Sequence, residues 1–140
     1  MNKDAKFLSV KDLVVEYASD GDCVHAVNGV SLELERGKTL GLVGETGAGK
    51  TTIAKSILRI LPDFGCQVRS GEVYLDGEDI FKVNENEMKK IRGNKIAMIF
   101  QDPMTALNPV QRIGEQIAEV VKLHNEDRLN PEARAKEMLE

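Results

Sequence analysis

The sequence predicts an α/β fold in which an antiparallel β region is followed by a parallel core sheet and then by helices. The first third of the chain is rich in β-branched residues with partial alternation, which is typical of half-buried strands. Two short apolar segments, residues 39–43 and 95–101, have the composition of strands buried on both faces. Elsewhere, apolar residues recur at helical spacing.

The β region is predicted from strand segments separated by turn signals. Residues 7–17 and 24–34 each favour a strand, and the Asp-Gly pair at positions 20–21 between them is a hairpin signal. The Asn-Gly pair at positions 28–29 predicts a break in the second strand. A further strand-and-turn unit, again with an Asp-Gly pair, covers residues 70–80.

Four helices are predicted from apolar periodicity and stop signals. The first covers residues 50–61 and ends before Pro62, and the second is a short polar helix over residues 84–93. Residues 111–124 place an apolar stripe on one face, and a last helix starts at Pro131. Because this last helix has no stop signal, we expect the chain to be part of a longer protein.

Composition excludes several classes of function. The hydrophobic fraction is 41%, the net charge is −4 and no basic tract occurs, so nucleic acid is not an expected partner. The apolar runs are far shorter than the roughly 20 residues that cross a bilayer, and the first residues lack the apolar region of a signal peptide. Cys23 and Cys66 are far apart, without histidine clustering, as expected of reduced thiols in a cytoplasmic protein.

Residues 44–51 carry the strongest chemical signal, the pattern G-x-x-x-x-G-K-[ST]. Its glycines allow backbone amides to turn inward as a nest of donors, and the following helix adds its positive end. Lys50 has the reach to bind β- and γ-phosphates, and the Thr51 hydroxyl is a Mg²⁺ ligand in such loops. The glycine spacing is not that of a dinucleotide fingerprint, so the motif predicts a nucleoside triphosphate site.

The motif alone leaves the class of nucleotide-binding protein open. Its context resembles the ATP-binding subunit of an ABC transporter, through "VEY", "AVNGVSLELERGKTLGLVGETGAGKTT", "SGEVYLDGEDI" and "IAMIFQDPMTALNP" in that order. The last segment is most similar to the peptide, opine and nickel importer branch, and dipeptide and oligopeptide importers fit best. The resemblance implies a partial ABC-type P-loop NTPase fold, the N-terminal part of one nucleotide-binding domain. Within it, residues 1–38 would form the antiparallel region, 39–101 the P-loop core and 102–140 the start of a helical subdomain.

The resemblance also implies roles for particular residues. Tyr17 matches the aromatic residue that stacks on adenine, and Gln101 matches the glutamine that contacts Mg²⁺ and the attacking water. Lys50 and Gln101 would be catalytic, and Thr51 and Gln101 would contact the metal. The implied ATP-binding residues are Tyr17, Gly44, Glu45, Thr46, Gly47, Ala48, Gly49, Lys50, Thr51 and Thr52.

The implied function is that of an ATPase subunit at the cytoplasmic face of the membrane, coupling ATP hydrolysis to uptake of peptides or related solutes. Its partners would be a second ATP-binding subunit, membrane permease subunits and, indirectly, an extracytoplasmic solute-binding protein. The chain contains no LSGGQ-type signature and no apolar strand ending in Asp-Glu after Gln101, so we expect negligible hydrolysis by the chain alone. The alternatives are a small P-loop kinase, a non-transport ABC ATPase and a non-enzymatic nucleotide-binding module.

Overall fold

The structure, a computed structural model, describes residues 6–19, 22–102, 106–124 and 129–140. The chain divides into two compact units, Met1–Glu85 and Asn86–Glu140, which are described separately below. In chain order the elements are β1 (Lys6–Ser19), β2 (Asp22–Glu35), α1 (Lys50–Ile57), β3 (Cys66–Leu75), β4 (Glu78–Asp79), α2 (Glu85–Ile91), α3 (Ile113–Leu123) and α4 (Pro131–Leu139).

The first unit is built on a four-stranded sheet in the order β2-β1-β3-β4, with every neighbouring pair antiparallel. The two predicted strands of the first third are confirmed, whereas the predicted turn at positions 20–21 lies outside the described residues. The expected break at positions 28–29 is wrong. β2 runs through it, and Gly29 takes a φ of 67° where the β1–β2 register shifts, so the extra residue is absorbed as a bulge.

A bulge in the central strand keeps its apolar side chains in the core. Leu8 and Val10 are buried before it and Leu13 and Val15 after it, so the buried positions change from even to odd numbers. Both ladders of β1 shift register between these pairs, and Asp12 adopts a φ of 46°. A one-residue shift would otherwise turn the later side chains to the opposite face of the sheet.

The turn between β3 and β4 follows its prediction. Asp76 and Gly77 both have positive φ angles, 53° and 85°, as a two-residue hairpin turn that matches the twist of its strands requires. The Ile80 amide then donates to the carbonyl of Val73 at 2.9 Å, and the Ile80 side chain is fully buried. The Asp-Gly pair therefore fixes the register that places Ile80 in the core.

The main correction to the predicted fold concerns the two strands that were expected to form the parallel core. Neither 39–43 nor 95–101 is a strand, and among the described residues neither is hydrogen-bonded into a sheet. Most of their side chains are exposed instead: Val43 is 94% exposed and Ile99 98%, whereas Ile96 and Met98 are half-buried. The physical reason is that a strand buried on both faces depends on neighbouring strands, and the described chain supplies none beside these segments. Most apolar side chains of these two segments therefore remain in contact with solvent.

In the second unit α3 packs against α4. Ala118 and Ala135, one from each helix, are buried, and such small side chains allow close approach of two helices. α4 begins at Pro131 because Asn130 caps it, its side chain accepting from the amides of Glu132 and Ala133. Within the described part of the chain, no helix has the length and apolarity needed to span a bilayer.

Candidate functional site

The glycine-rich loop leads directly into α1, which begins at Lys50 as predicted. Gly47 and Gly49 have φ angles of 85° and 83°, a left-handed conformation that favours glycine. A Cβ on Gly49 would lie 2.3 Å from the carbonyl oxygen of Ala26 on β2. Gly49 is therefore the point at which the loop touches the sheet. α1 ends at Ile57, four residues before its predicted end, because Arg59 turns to a φ of 53° and takes the chain out of the helix.

The Lys50 ammonium lies inside the loop that precedes it. Its Nζ donates to the carbonyl oxygens of Gly44 and Glu45, each at 2.6 Å. The Ala48 amide donates to the Glu45 carbonyl at 3.2 Å, which closes the turn. A Cβ on Gly44 would be 3.3 Å from the Ala48 Cβ and 3.9 Å from Lys50 Nζ. The glycine-rich loop, which forms a cradle over residues 44–49, therefore has little room for a side chain at position 44. The two carbonyl oxygens thus hold the Lys50 ammonium against the glycine-rich loop.

The first turn of α1 adds backbone donors at the same place. The amide of Ile53 is the first to donate within the helix, to the Gly49 carbonyl at 2.9 Å. Amides of the first turn have no intrahelical acceptor, and the helix dipole places positive charge there. Thr51 is exposed and Thr52 half-buried in this turn. Together with the Lys50 ammonium, these groups can bind an anion such as a phosphate.

Tyr17 lies close to the start of α1. It is half-buried on β1, and in the sheet it is paired with Cys66 on β3 and Val24 on β2. Its hydroxyl lies near the side chains of Thr52 and Cys66. Burial raises the pKa of this hydroxyl, Thr52 lowers that pKa, and Cys66 raises it. The structure therefore places the aromatic ring of Tyr17 near the helix that follows the glycine-rich loop, within the first unit.

Gln101 is the predicted site residue that belongs to the second unit. It is an exposed residue at a bend in the second unit, whereas Tyr17 and residues 44–52 belong to the first. The predicted site residues other than Gln101 therefore all belong to the first unit.

Gln116 is not among the predicted site residues, and its side chain forms three hydrogen bonds with the loop before α3. The sequence signal for this arrangement is the Asn-Pro pair at positions 108–109, which is typical of a turn in the loop that Gln116 binds.

A polar cluster next to Tyr17 on β1 is explained by ion pairing. The Glu16 carboxylate accepts from Arg69 Nε, from the Cys23 thiol at 3.1 Å, and lies 3.3 Å from His25 Nδ1. The hydrogen bond from Arg69, followed by that from Cys23, lowers the pKa of Glu16, and Glu16 raises the pKa of the Cys23 thiol. In the described parts of the chain, no group of three or more His, Cys, Asp or Glu side chains could hold a metal ion.

Comparison with known proteins assigns this chain to a protein family. The profile of the family described as ABC transporter matches residues 27–140, most of the chain. The chain therefore belongs to the ABC transporter family.

Among curated members of this family, the chain is similar to ATP-binding proteins of peptide transport. The chain is 40% identical to the oligopeptide transport ATP-binding protein OppD of Bacillus subtilis over 143 aligned positions, covering 100% of this chain and 39% of that protein. It is 41% identical to the dipeptide transport ATP-binding protein DppD of the same organism, covering 96% of this chain and 39% of that protein. The chain thus spans well under half the length of these relatives.

Solved structures support the α/β fold. The bacterial ABC transporter cassette MJ0796, described as a dimer, matches with a TM-score of 0.79 and 24% identity over 94% of this chain and 54% of its own. The same cassette in a post-hydrolysis state bound to ADP and Pi gives a TM-score of 0.75 and 21% identity over 93% of this chain and 54% of its own. At these identities the likeness shows the fold alone, an ABC ATPase cassette.

Proposed function

We propose that this chain is the nucleotide-binding N-terminal part of the ATP-binding subunit of an ABC importer for peptides or related small solutes. The observation that carries the proposal is the Lys50 ammonium, held by two loop carbonyls at the start of α1. The names of the relatives OppD and DppD support peptide import as the transport class. The proposed domain division follows the sequence: an antiparallel region over 1–38, a P-loop core over 39–101 and helices from 102.

The described residues fit ATP and Mg²⁺. The cradle over residues 44–49 leaves no room for a Cβ at Gly49, and its donors are backbone amides and one ammonium, the groups that bind phosphate oxygens. Thr51 offers an exposed hydroxyl, a hard oxygen of the kind that Mg²⁺ prefers. Bound Mg²⁺ supplies charge neutralisation on the transferred phosphoryl group. The ten proposed ATP contacts are Tyr17, Gly44, Glu45, Thr46, Gly47, Ala48, Gly49, Lys50, Thr51 and Thr52.

The residues would act by binding and orienting the nucleotide. Lys50 exchanges its two carbonyl acceptors for phosphate oxygens, which are stronger partners because they are charged. The half-buried ring of Tyr17 stacks on the base, and Thr52 beside its hydroxyl lies in the first turn of α1, at the phosphate end of the site. Gln101 remains a proposed Mg²⁺ contact beside Thr51, and its amide would position the attacking water.

The activity of the whole protein is part of the same proposal. It would hydrolyse ATP at the cytoplasmic face of the membrane, paired with a second ATP-binding subunit and with permease subunits that receive solute from an extracytoplasmic binding protein. Because phosphoryl transfer depends on positioning and electrostatics supplied by several elements, the 140-residue chain alone binds nucleotide without appreciable hydrolysis.

The test is ATP hydrolysis by the complete protein assembled with its transport partners. Lys50→Ala should lower kcat by about a hundredfold or more, since it removes a preorganised positive charge from the phosphates. Lys55→Ala, on the same helix but in its last turn, is the matched control and should leave hydrolysis near that of the unaltered protein. Equal hydrolysis by both variants would contradict the proposed phosphate site.

A further inference from the structure

Tyr17 is the middle member of a row of three side chains that crosses three strands of the sheet. In the two registers of β1, Tyr17 pairs with Val24 on β2 and with Cys66 on β3. Side chains directly opposite one another in antiparallel strands lie on the same face of the sheet, with Cβ atoms about 5 Å apart. We call the side chains of Val24, Tyr17 and Cys66 the Tyr17 row.

The Tyr17 row lies on the face of the sheet that carries α1. Tyr17 follows the fully buried Val15 by two residues on the same strand, so both side chains point to the core face. Thr52, in the first turn of α1, lies near the Tyr17 hydroxyl, and Cys66 lies near the same hydroxyl. The row therefore adjoins the start of the helix that follows the glycine-rich loop.

The hydrophobic core of the first unit ends at the Tyr17 row, which is partly open to solvent. Val24 is 54% exposed, although Val27 on the same strand is 3% exposed. Tyr17 and Cys66 are half-buried. The three side chains are an isopropyl group, a phenol ring and a thiol, so the row is uncharged and mostly apolar. A flat aromatic base that lies on such a surface removes apolar area from water and gains dispersion contacts.

Resting on the proposed function, we propose that Val24 and Cys66 are base-contacting residues of the ATP site. The base lies on the Tyr17 ring. Because both neighbouring Cβ atoms stand about 5 Å from that of Tyr17, the edges of the base lie against the Val24 methyl groups and the Cys66 thiol. Three strands, rather than the tyrosine alone, then define the base end of the site.

The second cysteine of the chain provides an internal control. Cys23 pairs with Ala18, so it lies on the opposite face from the Tyr17 row, and its thiol donates to the Glu16 carboxylate at 3.1 Å. Cys23 and Cys66 are the two cysteines of the sequence, and both border a cavity of about 400 Å³ at this end of the sheet. A small alkylating reagent therefore reaches both thiols and reports on the two faces of the sheet at once.

The Cys66 contact is tested by alkylation of the 140-residue chain with iodoacetamide, followed by mass spectrometry of each cysteine. Mg-ATP at about ten times its Kd should slow alkylation of Cys66 about tenfold, because only the unbound fraction of the chain reacts. Cys23 should react at the same rate with and without Mg-ATP. Tripolyphosphate has the phosphates but no base, so it should leave both rates unchanged. Bound Mg-ATP that does not slow Cys66 alkylation, or equal slowing by tripolyphosphate, would overturn the contact.

The Val24 contact is tested by calorimetric titration with the same two ligands. Val24→Ser removes apolar contact area, so it should weaken Mg-ATP binding about fivefold and leave the Kd for tripolyphosphate unchanged. Cys23→Ser, at the neighbouring residue on the opposite face, is the matched control and should bind both ligands as the unaltered chain does. Equal Mg-ATP affinity in the two variants, or an equal loss of tripolyphosphate affinity in Val24→Ser, would overturn the contact. If the unaltered chain binds neither ligand, the proposed function itself fails, and this proposal fails with it.

Discussion

Replacing Gly49 by alanine should disrupt the contact between the glycine-rich loop and β2. At a φ of 83°, a non-glycine residue costs about 1–2 kcal/mol. The added Cβ would stand 2.3 Å from the Ala26 carbonyl oxygen, so the backbone must shift, which at overpacked sites costs about 1–3 kcal/mol more. The free energy of unfolding of the first unit should therefore fall by about 2–5 kcal/mol.

Gly47→Ala is the matched control for this prediction. Gly47 has nearly the same φ, 85°, but its Cβ would meet nothing within 4 Å, so only the conformational cost of about 1–2 kcal/mol applies. Urea unfolding followed by tyrosine fluorescence measures the difference, because the chain has no tryptophan and both tyrosines, Tyr17 and Tyr74, lie in the first unit. Equal destabilisation by the two substitutions would refute the contact between the loop and β2.

Two further predictions concern acid stability and association. The pKa of Glu16 is lowered in the folded state by Arg69, so its stabilising contribution is present above the ordinary carboxyl pKa and is lost as pH falls through the lowered value. Glu16→Gln should flatten the acid dependence of urea midpoints in this range, and an unchanged slope would contradict the pairing. Val43 and Ile99 are more than nine-tenths exposed on the apolar segments 39–43 and 95–101, so replacing both with serine should lower association in light scattering. Phe64→Ser, at an exposed site outside these segments, should change association less, and an equal decrease would refute the role assigned to the segments.

Features with local causes were predictable from the sequence. Asp76 and Gly77 specify their own turn through positive φ angles, and Pro131 marks the start of α4. The loop over residues 44–51 was recognisable because its glycine, lysine and threonine spacing follows directly from phosphate binding. In each case the signal and the structure lie within a few residues of one another.

Features that depend on distant residues were not predictable. The segments over 39–43 and 95–101 have strand composition, but a strand buried on both faces exists only if other strands lie beside it. The bulge at Asp12 required a non-glycine residue in the left-handed region, which sequence patterns disfavour. The contact of Gly49 with Ala26 and the three bonds of Gln116 likewise join residues whose pairing no local sequence signal specifies.

Calorimetric titration of the 140-residue chain with Mg-ATP tests the central claim most directly. The cradle around Lys50 is already formed, with its ammonium placed by Gly44 and Glu45, so we predict saturable binding at one site. Lys50→Ala should abolish this binding, and Lys55→Ala should preserve it. A folded chain that shows no binding, or one that binds equally well without the Lys50 ammonium, would contradict the claim that this loop holds the phosphates of ATP.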